Sequence, residues 1–136
     1  MKYLSLMLLA ASVTMVSCSE EETPDTQRPV ITVINPASDH LDKEPGDTLS
    51  LTALFTDNVE LLNGKIDIHL AGDHSHRVSG GWEWAKVYPI SGKEFSISEN
   101  VAIPATADTG KYHITFEGTD KAGNIATPVV VELHLD

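Results

Sequence analysis

Apolar and polar residues alternate along most of the chain in short runs, a pattern that predicts half-buried β-strands. In KIDIHLA, for example, Ile66 and Ile68 fall on one face while Asp67 and His69 fall on the other. No apolar stripe with a helical period is long enough to predict a helix. The stretches with strand character are 29–36, 48–55, 65–71, 94–104, 111–118 and 125–136. Residues 37–47 and 56–64 are expected to be a polar loop and a turn.

Strands of this length and spacing predict an all-β, antiparallel β-sandwich of about seven strands. Residues 108–112, DTGKY, place Asp108, Gly110 and Tyr112 in the pattern of a tyrosine corner. The following TDKAGN resembles a hairpin of bacterial immunoglobulin-like modules. The chain has one cysteine, so the disulfide of antibody domains is excluded. We therefore expect an immunoglobulin-like or fibronectin-like sandwich over residues 29–136.

Residues 1–17 have the features of a cleaved signal peptide. Lys2 precedes the apolar run YLSLMLLAASVTMV, and the only cysteine of the chain, Cys18, follows in VSC. This arrangement resembles a bacterial lipoprotein signal, which implies cleavage before Cys18 and lipid attachment to that residue. The alternatives are an ordinary signal peptide with an incidental cysteine, or a transmembrane anchor, for which the run is short.

Residues 18–28 are acidic and have no periodicity, so they predict a tether between lipid and domain. The run CSEEE resembles the export signal of lipoproteins that Bacteroidetes place on the outer face of the outer membrane. A solvated linker would have the same composition. We expect an outer-membrane lipoprotein that is exposed at the cell surface, with the periplasmic face as the alternative.

The formal net charge of −11 argues against nucleic acid as a partner, because phosphate recognition needs basic patches. It is compatible with cations and with neutral ligands. No serine lies in a nucleophile elbow, Cys18 is assigned to lipid, and no spacing selects a pair of carboxylates. We expect a protein that is not an enzyme.

Histidines are concentrated where the strand of residues 65–71 ends. His69 is the last outward-facing imidazole of the strand, and Asp73, His74 and His76 follow in the next turn. Three imidazoles and a carboxylate are ligands suited to Zn(II), or to Cu(II) in a flatter arrangement. The alternative is a polar, glycine-bounded loop with solvated histidines.

The outward face of the sheet and the aromatic residues after the loop offer further candidates. His113 and His134 alternate away from the core and are expected to share the face of His69, most simply as polar residues on a wet surface. Trp82 and Trp84 fall on one side of an extended segment and can form a platform for sugar rings or a protein partner. More commonly such residues cover the edge of a sandwich. A plain structural spacer is the remaining alternative.

The elements IDIH, residues 66–69, and DHSH, residues 73–76, resemble those of a Bacteroidetes lipoprotein family, DUF4625, whose immunoglobulin-like domain has no assigned function. The resemblance covers about residues 29–136. It implies the same fold and suggests that the histidine loop is a feature of the group. It implies no activity.

Overall fold

The computed structural model describes residues 23–72 and 81–136. These residues contain eight β-strands and no helix. Within these residues no helix is long and apolar enough to cross a membrane. The strands are β1 (Val30–Asn35), β2 (His40–Lys43), β3 (Thr48–Thr56), β4 (Leu61–Leu70), β5 (Trp84–Pro89), β6 (Glu94–Ala102), β7 (Gly110–Asp120) and β8 (Val129–Leu135).

The strands form two sheets. One has three strands in the order β1-β3-β6, and the other has five in the order β2-β8-β7-β4-β5. All neighbouring strands are antiparallel except β2 and β8, which are parallel. The inward faces of the two sheets form one core, as alternation of buried and exposed positions requires. The predicted all-β sandwich is therefore confirmed.

Two segments that were predicted to be a loop and a turn instead contribute residues to strands. His40–Lys43, predicted as part of a polar loop, forms β2, because it pairs with β8 near the other end of the chain and has little apolar pattern of its own. Leu61, predicted to lie in a turn, opens β4, where it is fully buried and pairs with Asp120. Both differences come from partners that are distant in sequence.

The core contains aliphatic residues from both sheets around a few large aromatic side chains. Phe95, which alternation would place inward, is 37% exposed, because it is near the start of β6 at the rim of the sandwich. The largest fully buried side chains are Tyr112, Phe55, Phe116, Leu49, Leu51, Leu61, Ile66, Ile68, Ile97, Ile103, Ile114 and Leu133.

A pair of glycines makes room for the buried ring of Phe55 in the smaller sheet. Gly64 of β4 and Gly118 of β7 lie opposite each other in the ladder. A Cβ atom at either position would lie 3.1 Å from the nearest atom of the Phe55 ring. The two glycines therefore form a flat surface without side chains, and the fully buried ring of Phe55 packs against it.

The predicted tyrosine corner is present. Tyr112 is fully buried, and its hydroxyl donates a hydrogen bond of 2.8 Å to the carbonyl oxygen of Asp108. Burial raises the pKa of Tyr112. The corner fastens the chain leading into β7 onto that strand.

A polar bridge closes one side of the sandwich. Glu99 of β6 accepts hydrogen bonds from Lys86 (2.6 Å) and from the hydroxyl of Tyr88 (2.7 Å), both of β5 in the other sheet. The bond from Lys86 lowers the pKa of Glu99. Burial, together with the bond to Glu99, raises the pKa of Tyr88. This side of the sandwich is therefore held by a charged contact between the sheets.

Candidate functional site

A row of polar residues crosses the outer face of the five-stranded sheet. His69 of β4 lies opposite His113 of β7, which lies opposite Glu132 of β8, and His40 of β2 also lies opposite Glu132. We call these four residues the histidine row. Their side chains are neighbours on one face, because directly paired residues project to the same side of a sheet. The expectation that His69 and His113 share a face is confirmed.

One end of the histidine row has the geometry of an oriented pair of imidazoles. The rings of His69 and His113 are 5.8 Å apart between centroids and meet edge to face at 87°. Nδ1 of His69 lies 2.7 Å from a carboxylate oxygen of Asp67, and Lys65 lies 3.6 Å from the other oxygen of that carboxylate. A carboxylate at one ring nitrogen is the usual way in which a metal-ligating histidine is oriented.

The other end of the row is a network of ion pairs. The two ring nitrogens of His40 lie 3.0 Å from Asp42 and 3.3 Å from Glu132. Lys111 is 3.1 Å from Glu132 and holds the pKa of that carboxyl below its usual value. Both ring nitrogens of His40 face carboxylates, the side chains of His40 and Asp42 are exposed, and that of Glu132 is partly exposed. This end of the row is therefore a solvated network of polar and charged groups.

His134 lies beside this network. Its Nδ1 is 3.8 Å from Asp42 and 3.6 Å from Asp136, and one ligand atom from each of the three residues lies within 4.8 Å of the others. Asp42 and Asp136 are exposed, so water satisfies them without an ion.

Three residues of the predicted metal set, Asp73, His74 and His76, lie outside the described residues, as does Cys18. The chain leading to them can be followed. The amide of Ala71 donates to the carbonyl of Lys111 at 2.7 Å, so the β4–β7 ladder continues one residue past Leu70. Residue 72 is a bend. Residues 71 and 72 therefore lie at the end of the β4–β7 ladder that carries His69 and His113.

Both tryptophans of the predicted platform are half-buried and pack against the core. Trp84 pairs with the buried Ile68 at the start of β5. The ring of Trp82 lies 6.0 Å from that of Tyr112, tilted by 52°. The indoles therefore cover the edge of the sandwich near the loop, which leaves less of each ring for a sugar or protein partner.

Comparison with known proteins identifies the family. Residues 16–135 match the family described as Domain of unknown function (DUF4625). The chain belongs to the DUF4625 family. The match confirms the resemblance to the DUF4625 domain and begins earlier than expected, so that it includes Cys18. No curated protein matches the chain.

Solved structures agree with the fold of this DUF4625 domain. The GspB Siglec domain superposes with a TM-score of 0.51 at 18% identity, over 82% of this chain and 59% of that one. The sporulation control protein Spo0M of Bacillus subtilis gives 0.47 at 8% identity, over 80% and 49%. A Niemann-Pick type C2 protein from the Japanese carpenter ant gives 0.46 at 12%, over 81% and 90%. The first of these shows that the fold is β-sandwich-like, and the chain spans about three-fifths of that protein's length.

A cluster that the sequence analysis missed lies at the opposite end of the DUF4625 domain. One oxygen each from Asp25, Asp57 and Asp120 lies within 4.8 Å of the others. These residues come from the N-terminal segment, the β3–β4 connection and the end of β7. Only the hairpin motif TDKAGN marked any of them in the sequence, because their separation along the chain hides the cluster.

Proposed function

We propose that this chain is a non-enzymatic, lipid-anchored binding module of a Bacteroidetes outer membrane, exposed at the cell surface, that holds a divalent transition metal ion. The sequence of residues 1–22 supports the anchor, since a family match that begins at residue 16 takes in Cys18 and the acidic run after it. The β-sandwich is compatible with a binding or accessory role but does not select one, because this architecture carries many different functions.

The paired imidazoles of His69 and His113, with Asp67 at Nδ1 of His69, carry the metal proposal. Two imidazoles on adjacent strands supply part of a ligand set, and we propose that Asp73, His74 and His76, which follow β4 closely in the sequence, complete it. Nitrogen ligands in this number favour Zn(II) or Cu(II) over calcium. We add His113 to this proposed set because it lies directly opposite His69 in the β4–β7 ladder.

The platform alternative uses Trp82 and Trp84 for a glycan or a protein partner. Because both rings pack against the core, only part of each ring is available to a partner. The metal proposal therefore takes precedence.

Isothermal titration of the purified, chelator-treated protein with ZnCl₂ and CuCl₂ tests the proposal. We expect saturable binding that His69→Ala and the double variant His74→Ala/His76→Ala each weaken at least about tenfold, the usual scale for losing support of a metal site. His134→Ala is the matched control, because it removes an imidazole from the same sheet face beside the exposed carboxylates. Equal affinities in all variants, or no saturable binding, would refute the metal site.

The anchor is tested separately. Metabolic labelling with a radioactive fatty acid should mark the wild-type protein and leave Cys18→Ser unlabelled. Protease added to intact cells should remove the domain if it faces outward. Labelling of the Cys18→Ser variant would contradict the lipid assignment, and protection from protease would place the domain on the periplasmic face.

A further inference from the structure

The three aspartates at the other end of the sandwich meet where the N-terminal segment joins the domain. Asp25 belongs to that segment, Asp57 follows β3 of the smaller sheet, and Asp120 is the last residue of β7 in the larger sheet. The side chain of Asn58 donates to Oδ1 of Asp25 at 3.0 Å, and that of Asn124 donates to its backbone carbonyl at 3.2 Å. The segment is thus docked on the domain through Asp25.

In Asp57 and in Asp25, one carboxylate oxygen accepts hydrogen bonds and the other accepts none from the described residues. Oδ2 of Asp57 accepts from the amides of Val59 (2.9 Å) and Glu60 (2.8 Å). Its other oxygen, Oδ1, is buried and has no hydrogen-bond partner among residues 23–72 and 81–136, and the same is true of Oδ2 of Asp25. Two buried carboxylate oxygens without a donor are costly, since each has lost its water and gained nothing in return.

Asp120 adds a charge that is fully buried. Its side chain is 0% exposed, and both of its oxygens accept from Asn124, at 2.7 Å each. Among the residues that the structure describes, Asp120 is the only charged residue that is buried. No salt bridge reaches Asp25, Asp57 or Asp120 from the residues that the structure describes, and the adjacent Lys121 is paired with Glu60. Three neighbouring carboxylates, one of them fully buried and none paired with a described cationic side chain, favour a bound cation.

We propose that Asp25, Asp57 and Asp120 bind a calcium ion. Oxygens about 2.4 Å from a calcium ion lie at most about 4.8 Å from one another, and the three carboxylates meet this limit. Calcium takes six to eight oxygen ligands in flexible geometry. The two buried oxygens that have no hydrogen-bond partner among the described residues favour such an ion, and waters complete its coordination.

The ion joins the N-terminal segment to both sheets. Asp25 is seven residues after Cys18 in the sequence, so calcium at this point sets the direction in which the domain leaves its anchor. The group formed by Asp42, His134 and Asp136 differs in being largely exposed and in having no buried, unpartnered oxygen among its described atoms. It serves as the internal comparison.

Calcium titration of the purified, chelator-treated full chain, followed by amide NMR and calorimetry, tests this assignment. We expect one site with a dissociation constant of about 0.1–1 mM, the range of extracellular calcium modules. The largest shifts should fall on the amides that donate to the three carboxylates, namely those of Gln27, Val59, Glu60 and Asn124.

Variants distinguish a bound ion from general charge screening. Asp25 lies outside every strand, so the Asp25→Asn variant should fold as the wild type does. Asp25→Asn and Asp57→Asn should each weaken calcium binding at least about tenfold. Asp42→Asn removes a carboxylate from the exposed group and should leave the affinity unchanged. No saturable shift of these amides up to about 10 mM calcium, or equal affinities for Asp25→Asn and the wild type, would overturn the proposal. Zinc binding at the histidine row is measured by its own variants, so either result stands alone.

Discussion

Substituting alanine for Gly64 should destabilise the domain through a collision in the core. A Cβ atom at this position would lie 2.8 Å from Cδ1 of Ile97 and 3.1 Å from Cζ of Phe55. Both neighbours are buried, Ile97 at 2% exposure and Phe55 at 0%, so neither can move into solvent. The added methyl group must therefore displace packed atoms from both β3 and β6.

The size of the effect follows from two opposing terms. Forcing a methyl group into a filled core costs about 1–3 kcal/mol. Replacing glycine by alanine also restricts the unfolded chain, which stabilises the fold by about 0.4–1 kcal/mol. We expect a net loss of roughly 1–2 kcal/mol in the free energy of unfolding, with the transition temperature lowered by about 4–10 °C.

Urea denaturation followed by far-ultraviolet circular dichroism measures this loss. Gly72→Ala is the matched control, because no atom lies within 4 Å of its added Cβ and its backbone conformation suits alanine. It should be neutral or slightly stabilising. Combining Gly64→Ala with Phe55→Leu should recover part of the loss, giving a coupling energy of about 0.5–3 kcal/mol. Equal stabilities of Gly64→Ala and Gly72→Ala would refute the packing argument.

Three further changes test the corner, the bridge between the sheets and the histidine row. Tyr112→Phe should lower the free energy of unfolding by about 1 kcal/mol, measured in urea, because it removes a buried hydrogen-bond donor. Glu99→Gln should cost about 0.2–1 kcal/mol at neutral pH, since the carboxyl is partly exposed. Lys86 lowers the pKa of Glu99 in the folded protein. The stability difference between wild type and Glu99→Gln should therefore be fully present above pH about 4.3 and should disappear as the pH falls through the lowered pKa of Glu99. Urea titrations at several pH values measure this difference. Asp67→Asn should weaken zinc binding by about 10- to 100-fold in calorimetry, because Asp67 orients His69.

Each of these predictions has a result that contradicts it. Unchanged stability of Tyr112→Phe would mean that the hydroxyl contributes nothing to the corner. A difference between wild type and Glu99→Gln that grows on acidification would reverse the sign assigned to the bridge. Zinc affinity of Asp67→Asn equal to that of wild type would remove Asp67 from the metal proposal.

Sequence reasoning placed single residues on the correct face of a strand but could not place strands beside each other. The outward position of His69 follows from alternation within β4, and the outward position of His113 follows in the same way within β7. Their direct opposition depends on the β4–β7 register, which is set by the packing of the whole sheet. His40 received no role, because the short strand that carries it forms only against β8.

What the sequence alone determined is local: the period-two alternation of the strands, the tyrosine corner, the signal-like N-terminus and the histidine-rich exit of β4. These features depend on residues within a few positions of one another, so the order of the side chains suffices to predict them. Only the tertiary structure decided which polar groups meet. Asn124 contacts Asp25 across 99 positions, and the three aspartates share one corner of the domain, because the strands bring the ends of distant loops together. Contacts across such separations arise from the pairing of strands and the burial of a common core, which no short stretch of sequence encodes.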